Sequence, residues 1–169
     1  GQAPHLFNDM SWYDEKIFYE HLVYGSAEFH VPNSEWKVQN HGIAEGILIG
    51  GYARNFAMIL GSKYCQFDPN EKYILFIEDH EMFGGSDYVS AMLTHIEQDK
   101  IMDNVTGVIF GNFSDNEHPE LLWRLKRLGE THQIPVVYCD DFGHGSNHAI
   151  LPLGRRARLD TEKHLLRYI

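Results

Sequence analysis

The sequence predicts a single α/β domain built on a largely parallel central sheet, with extra short strands and helices layered about it in a three-layer-like arrangement. Three observations carry that expectation. Residues 73–77, 105–110 and 134–139 are almost unbroken apolar runs, stopped by Glu78-Asp79, Gly111-Asn112 and Asp140-Asp141. Strands buried on both faces read this way. Two segments of helical period lie between the runs, and strand and helix alternating at these lengths join by right-handed crossovers into parallel neighbours.

Residues 8–24 space Met10, Tyr13, Ile17 and Leu22 as a helix would, and Gly25 can end it. Residues 1–34 thus form a helical lead-in. Pro32-Asn33 makes a break, after which residues 35–39 and 46–50 read as short strands around a polar turn at 40–45. Beyond Gly84-Gly85, Ser86 is placed to cap a helix whose Val89, Met92, Leu93 and Ile96 share one face. Pro119 suits a first helical turn, and Leu121, Leu125 and Leu128 form the next stripe. Residues 149–153 and 158–160 look like late strands. There are no repeats, low-complexity tracts or Ser/Gly linkers, so residues 1–169 are expected to form one domain.

The chain carries 14 Lys+Arg against 24 Asp+Glu, a formal net charge of −10. That balance repels phosphate and argues against nucleic acid or an anionic membrane as partner. Cys65 and Cys139 show no CxxC or CxxH spacing, which suggests neither a disulfide framework nor a thiolate zinc site. No apolar run approaches the roughly 20 residues of a membrane span, and the N-terminus lacks the pattern of a signal peptide. A cytoplasmic setting is expected. Gly1-Gln2-Ala3, without Met, reads as a tag remnant or a cut inside a longer protein.

If the three apolar runs are parallel, their carboxyl ends bring Glu78-Asp79, Gly111-Asn112, Asp140-Asp141 and Gly143-His144-Gly145 to one edge, where α/β sheets bind ligands. Glu78 and His144 are the strongest pair there. A carboxylate on one imidazole nitrogen fixes the tautomer and frees the other as a general base toward a hydroxyl nucleophile. The competing reading makes Glu78 a loop cap and His144 one of 11 ordinary histidines. No nucleophile completes the set: Gly84-Gly85-Ser86-Asp87 lacks the trailing glycine of a nucleophile elbow, Cys139 lies inside a strand, and Ser146 reads as a turn former. A rival metal site could draw on Glu78, Asp79, His80, Glu81, Asp140, Asp141, His144 and His148, but no HExxH or similar spacing appears. Acids capping helices and facing solvent explain them more simply. Neither metal nor cofactor is expected, and the remaining histidines, His30 among them, receive no role.

Residues 73–79 (Tyr-Ile-Leu-Phe-Ile-Glu-Asp), a helix, residues 107–113 (Gly-Val-Ile-Phe-Gly-Asn-Phe), Ile134-Pro-Val, Phe142-Gly-His144 and Leu151-Pro-Leu-Gly154 resemble, in order and spacing, the C-terminal domain of the serine LD-carboxypeptidases. That family includes murein tetrapeptide carboxypeptidases and microcin C self-immunity proteins. Residues 46–51 resemble its GxxxGG strand, and residues 60–64 the gap that follows. The resemblance runs from about Trp36 to Asp160. It implies a Ser-Glu-His triad with Glu78 as the acid and His144 as the base. The serine and oxyanion hole belong to an N-terminal domain absent from this chain. It also implies that Gly51, Tyr52 and Asn112 lie near substrate, Tyr52 standing where the family usually has Asn. The implied activity is hydrolysis of an L,D-amide in a cytoplasmic muropeptide, or of a microcin C-type peptide-nucleotide. The isolated chain would then be catalytically incomplete.

The opposing class is a non-catalytic stand-alone domain for binding or pairing, with a metal-dependent hydrolase further behind. In either case an apolar face is expected, and Phe7, Trp12, Tyr13, Phe18 and Tyr19 are candidates for it. Packing of that helix on the domain's own core competes with this reading. Self-association of the chain into a homodimer through that face is expected in sedimentation, and a clean monomer across concentrations would contradict it.

Overall fold

The computed structural model describes residues 8–169. Phe7, one of the aromatic candidates, lies outside them. The elements are α1 (Trp12–Phe18), β1 (Trp36–Asn40), β2 (Ile43–Tyr52), α2 (Ala53–Ile59), β3 (Tyr73–Glu78), α3 (Ser86–Glu97), β4 (Val105–Asn112), α4 (Pro119–His132), β5 (Val136–Gly143), β6 (Arg156–Asp160) and β7 (Leu165–Tyr168). They form one mixed seven-stranded sheet in the order β1-β5-β4-β3-β2-β6-β7. β2, β3, β4 and β5 are parallel; β1, β6 and β7 are added antiparallel at the flanks.

Alternation along each parallel strand serves two cores at once, which is why the runs look continuous in sequence. Leu75, Ile77, Val108, Phe110, Val136 and Tyr138 face α2, α3 and α4. Ile74, Ile109, Val137 and Cys139 face the other way, under α1's Tyr13 and Ile17 and the late strands' Leu159, Leu166 and Tyr168. The leucine stripe of α4 is buried as its spacing predicts, and Pro119 occupies the first turn.

Several elements differ from expectation. The first helix is α over residues 12–18 and then widens to a π-turn at Tyr19–Val23, with Tyr24 N–H bonding Tyr19 O at 2.8 Å. Leu22 is 61% exposed, while Tyr13 and Ile17 stay buried. Residues 24–34 are not helical. They run as an extended strap whose Phe29 bridges Arg167 of β7, with His30 N–H on Leu166 O and Tyr168 N–H on Glu28 O. Of the aromatic candidates, Tyr13 is core, whereas Trp12 is 67% exposed, close to Leu22 and Tyr24 in sequence.

Ser86 is the first residue of α3 rather than its cap; Gly85 takes the cap position, and the Ser86 hydroxyl donates to Glu120 at 2.8 Å. α2 was not expected, although Ala53, Phe56 and Ala57 sit at helical spacing and are all buried. Residues 149–153 are not a strand: Pro152 has no N–H for a ladder, and only Ala149 N–H reaches Asp141 O. β7, four residues long, has no counterpart in the sequence expectation.

β2 approaches β3 at Gly50, whose φ is +130° and where an added Cβ would stand 1.7 Å from Phe76 O. Gly50→Ala is therefore expected to cost about 3 kcal/mol or more of stability in urea titration, and a loss below about 1 kcal/mol would contradict that packing.

Candidate active site

The parallel pairing brings the ends of β3, β4 and β5 to one edge, as the sequence implies. Glu78 is the last residue of β3 and lies in register with Tyr52 at the end of β2. β5 runs on through Asp140-Asp141 to Gly143, further than predicted, because Asp141 points into the protein rather than ending the strand in solvent. Gly143 has φ +97° and lies opposite Asn112; a Cβ there would be 2.8 Å from Asn112 O and 3.3 Å from Glu78 Oε2. Only a bare backbone can turn so tightly over the carboxylate. The turn delivers His144, whose Nδ1 stands 2.7 Å from Glu78 Oε2. The histidine side chain is 40% exposed and the glutamate 15%.

An ionised carboxylate only accepts, so this contact places the ring proton on Nδ1 and leaves Nε2 as the basic nitrogen. The His144 ring is held edge-to-face by Tyr52, with centroids 5.6 Å apart, and by His80 at 5.1 Å. Arg54 lies over the rings of Tyr52 and Phe83. Burial first, then the neighbouring Asp79 and Glu78 carboxylates, hold the Tyr52 phenol well above its ordinary pKa, against an opposing pull from Arg54. Tyr52 is thus a neutral wall of the site at neutral pH.

The other residues expected near substrate differ in kind. Space above Gly51 is open. Asn112 is 5% exposed, and its amide donates to Asp140 at 3.0 Å while Gly145 rests against it. It underlies the His144 loop. An apolar cavity of about 220 Å³, lined by Phe76, Glu78, Phe142, Gly143, Ile150 and Leu151 among others, borders the carboxylate. Asn112, Asp140, Ser146 and Asn147 contribute to a more polar one of about 250 Å³.

The eight acids and histidines weighed as metal ligands do not converge. Asp79 accepts from His80 N–H, Glu81 pairs with His118, and His148 pairs with Asp14. Among the described residues, one group does have ligand atoms within 4.8 Å of one another: His30, Cys139 and Asp141, all buried. Asp141 is already taken by hydrogen-bond donors. His30 Nε2 lies 2.8 Å away, Asn33 N–H 3.1 Å from both oxygens, the Cys139 thiol at 3.4 Å and the Asn147 amide at 3.3 Å. This is a hydrogen-bond hub. Burial, with Asp141 adding to it, pushes the Cys139 thiol well above its ordinary pKa, so it stays protonated. His30 carries no role in the sequence expectation, and 111 residues separate it from Asp141. A lone histidine beside Val31 and Pro32 carries no spacing signal.

Burial alone would raise the Asp141 pKa, but His30, Asn33 and Ser34 together outweigh it and hold the carboxyl below its ordinary 3.8. A depressed folded pKa contributes stability that is complete above the unfolded value and lost as pH falls through the folded one. Asp141→Asn is therefore expected to flatten the acid limb of the stability profile below pH 3.8. Losing one accepting carboxylate oxygen from this buried hub should also cost about 1–3 kcal/mol at neutral pH, read in urea titrations across pH.

Comparison with known proteins bears on what this edge is. Residues 45–159 match the family model described as the LD-carboxypeptidase C-terminal domain. A Synechocystis protein named as a carboxypeptidase is 34% identical over 137 residues, covering 76% of this chain and 43% of its own length. One from Treponema pallidum is 25% identical over 165 residues, covering 95% of this chain and 45% of its own. The chain thus spans about half the length of the curated relatives it matches. Two solved structures share the fold. The microcin-immunity (MccF)-like protein of Streptococcus pneumoniae in complex with AMP has TM-score 0.80 at 21% identity, over 95% of this chain and 58% of that one. Muramoyltetrapeptide carboxypeptidase from Oxalobacter formigenes has TM-score 0.73 at 24% identity, over 95% and 55%. The family match covers more than half of the sequence and includes Glu78 and His144: the chain belongs to the LD-carboxypeptidase family, whose C-terminal domain it matches.

Proposed function

We propose that this chain supplies the Glu and His of a Ser-Glu-His triad in a serine LD-carboxypeptidase. Glu78 is the triad acid, His144 the general base, and the serine comes from a preceding domain. The observation that carries the reading is the 2.7 Å contact between His144 Nδ1 and Glu78 at the carboxyl edge of the parallel sheet. In the proposed reaction, His144 Nε2 takes the serine proton as the hydroxyl oxygen attacks the amide carbonyl. It then passes that proton to the leaving amine as the C–N bond breaks, and water hydrolyses the resulting ester by the same route. Glu78 stabilises the imidazolium formed on the way.

The substrate class is a cytoplasmic peptide with an L,D-amide, either a muropeptide or a microcin C-type peptide-nucleotide. The carboxypeptidase of O. formigenes and the AMP complex of the S. pneumoniae protein support these two choices. Gly51, with open space above it, and Tyr52, against the His144 ring, are the substrate-side residues of this half, with Asn112 beneath.

In the enzyme carrying both domains, Glu78→Gln and His144→Ala are expected to lower kcat by about 10³-fold or more with little change in KM and with cooperative unfolding retained. Undiminished turnover in either variant would overturn the assignment.

A further inference from the structure

The loop that carries His144 is gripped by a part of the chain outside the family match, which begins at residue 45. Asp14 of α1, 5% exposed, accepts the backbone N–H of His148 on Oδ1 at 2.8 Å and meets the His148 ring Nδ1 through Oδ2 at 3.1 Å. The helix bearing it is fixed in turn. Ser11 caps it by accepting Asp14 N–H, and the buried Tyr13 donates its hydroxyl to Val31 O at 2.8 Å. One residue earlier in the loop, Asn147 accepts from the Asn33 amide at 2.9 Å and donates to Asp141. The near end of the loop is held separately, by Gly143 paired with Asn112 and Gly145 packed on the Asn112 side chain.

His144 lies between these anchorages, flanked by Gly143 and Gly145 and 40% exposed. One partly exposed hydrogen bond to Glu78 is too weak to order a glycine-flanked loop against its conformational entropy. The loop's geometry therefore depends on its buried ends.

We propose that Asp14 is a positioning residue for the general base: by fixing the backbone and ring of His148 it holds the 143–149 loop down, so that His144 Nδ1 stays on Glu78. The proposal rests on the Glu78–His144 dyad of the proposed function. It makes α1 a support of the catalytic pair.

The test reads the tautomer of His144 in the 169-residue chain, from ¹⁵N–¹H imidazole spectra at a pH where the ring is neutral. The wild type is expected to hold the proton on Nδ1, and Glu78→Gln to move it toward Nε2. Asp14→Ala is expected to lower the Nδ1–H to Nε2–H ratio by about fivefold or more while unfolding stays cooperative. His148→Ala, which keeps its backbone N–H for Asp14, is expected to give a smaller change in the same direction, and it carries the test if Asp14→Ala does not fold. An unchanged His144 ratio in both variants, or in His148→Ala alone where Asp14→Ala does not fold, overturns the proposal. A wild-type ratio insensitive to Glu78→Gln instead overturns the dyad itself, and the positioning role with it.

Discussion

Four neighbouring strands, β2 to β5, run parallel with apolar side chains on both faces, and that constraint decides where polar chemistry can sit. Neither face has room for it. Parallel pairing puts the carboxyl ends of these strands on one edge, where Glu78, Asn112, Asp140 and the His144 loop gather. Each crossover that makes a strand parallel also sends its terminal residue to this edge. The 66 residues between Glu78 and His144 therefore do not keep the two apart.

Side by side, Glu78 and Asp141 show how environment divides the work of chemically similar groups. Glu78 keeps one oxygen on an exposed imidazole beside an apolar cavity, an arrangement suited to receiving and returning charge. Asp141, at the end of the next strand but one, is sealed from solvent and saturated with donors from the strap, the strand and the loop. It cannot take part in chemistry without first giving up structure. The acidic excess of the sequence is consequently no guide to a cation site, since the acids nearest the edge already hold partners within the protein.

Elements whose residues serve the sheet core were legible because continuous burial leaves continuous apolar runs. Those runs located β3, β4, β5 and, through their ends, the Glu78–His144 pair. Legibility failed where stability comes from one contact distant in sequence. Asp141 looked like a strand terminator because its partner His30 is unmarked, and β5 was drawn too short for that reason. Leu22 stands five residues beyond Ile17, outside the three- and four-residue spacings that make a buried stripe, and it is exposed. Ser86 had the right chemistry for a cap but sits one residue too late, where its hydroxyl meets Glu120 of the neighbouring helix instead.

The strap between α1 and β1 has one further consequence, for solubility. β7 ends the seven-strand order and would present a row of unpaired backbone groups, a template for edge-to-edge aggregation. The Phe29–Arg167 bridge and the bonds of His30 and Tyr168 occupy part of that row. The segment whose His30 side chain reaches Asp141 thus also blunts an adhesive edge, and a chain shortened to begin at β1 would keep that edge but lose its cover.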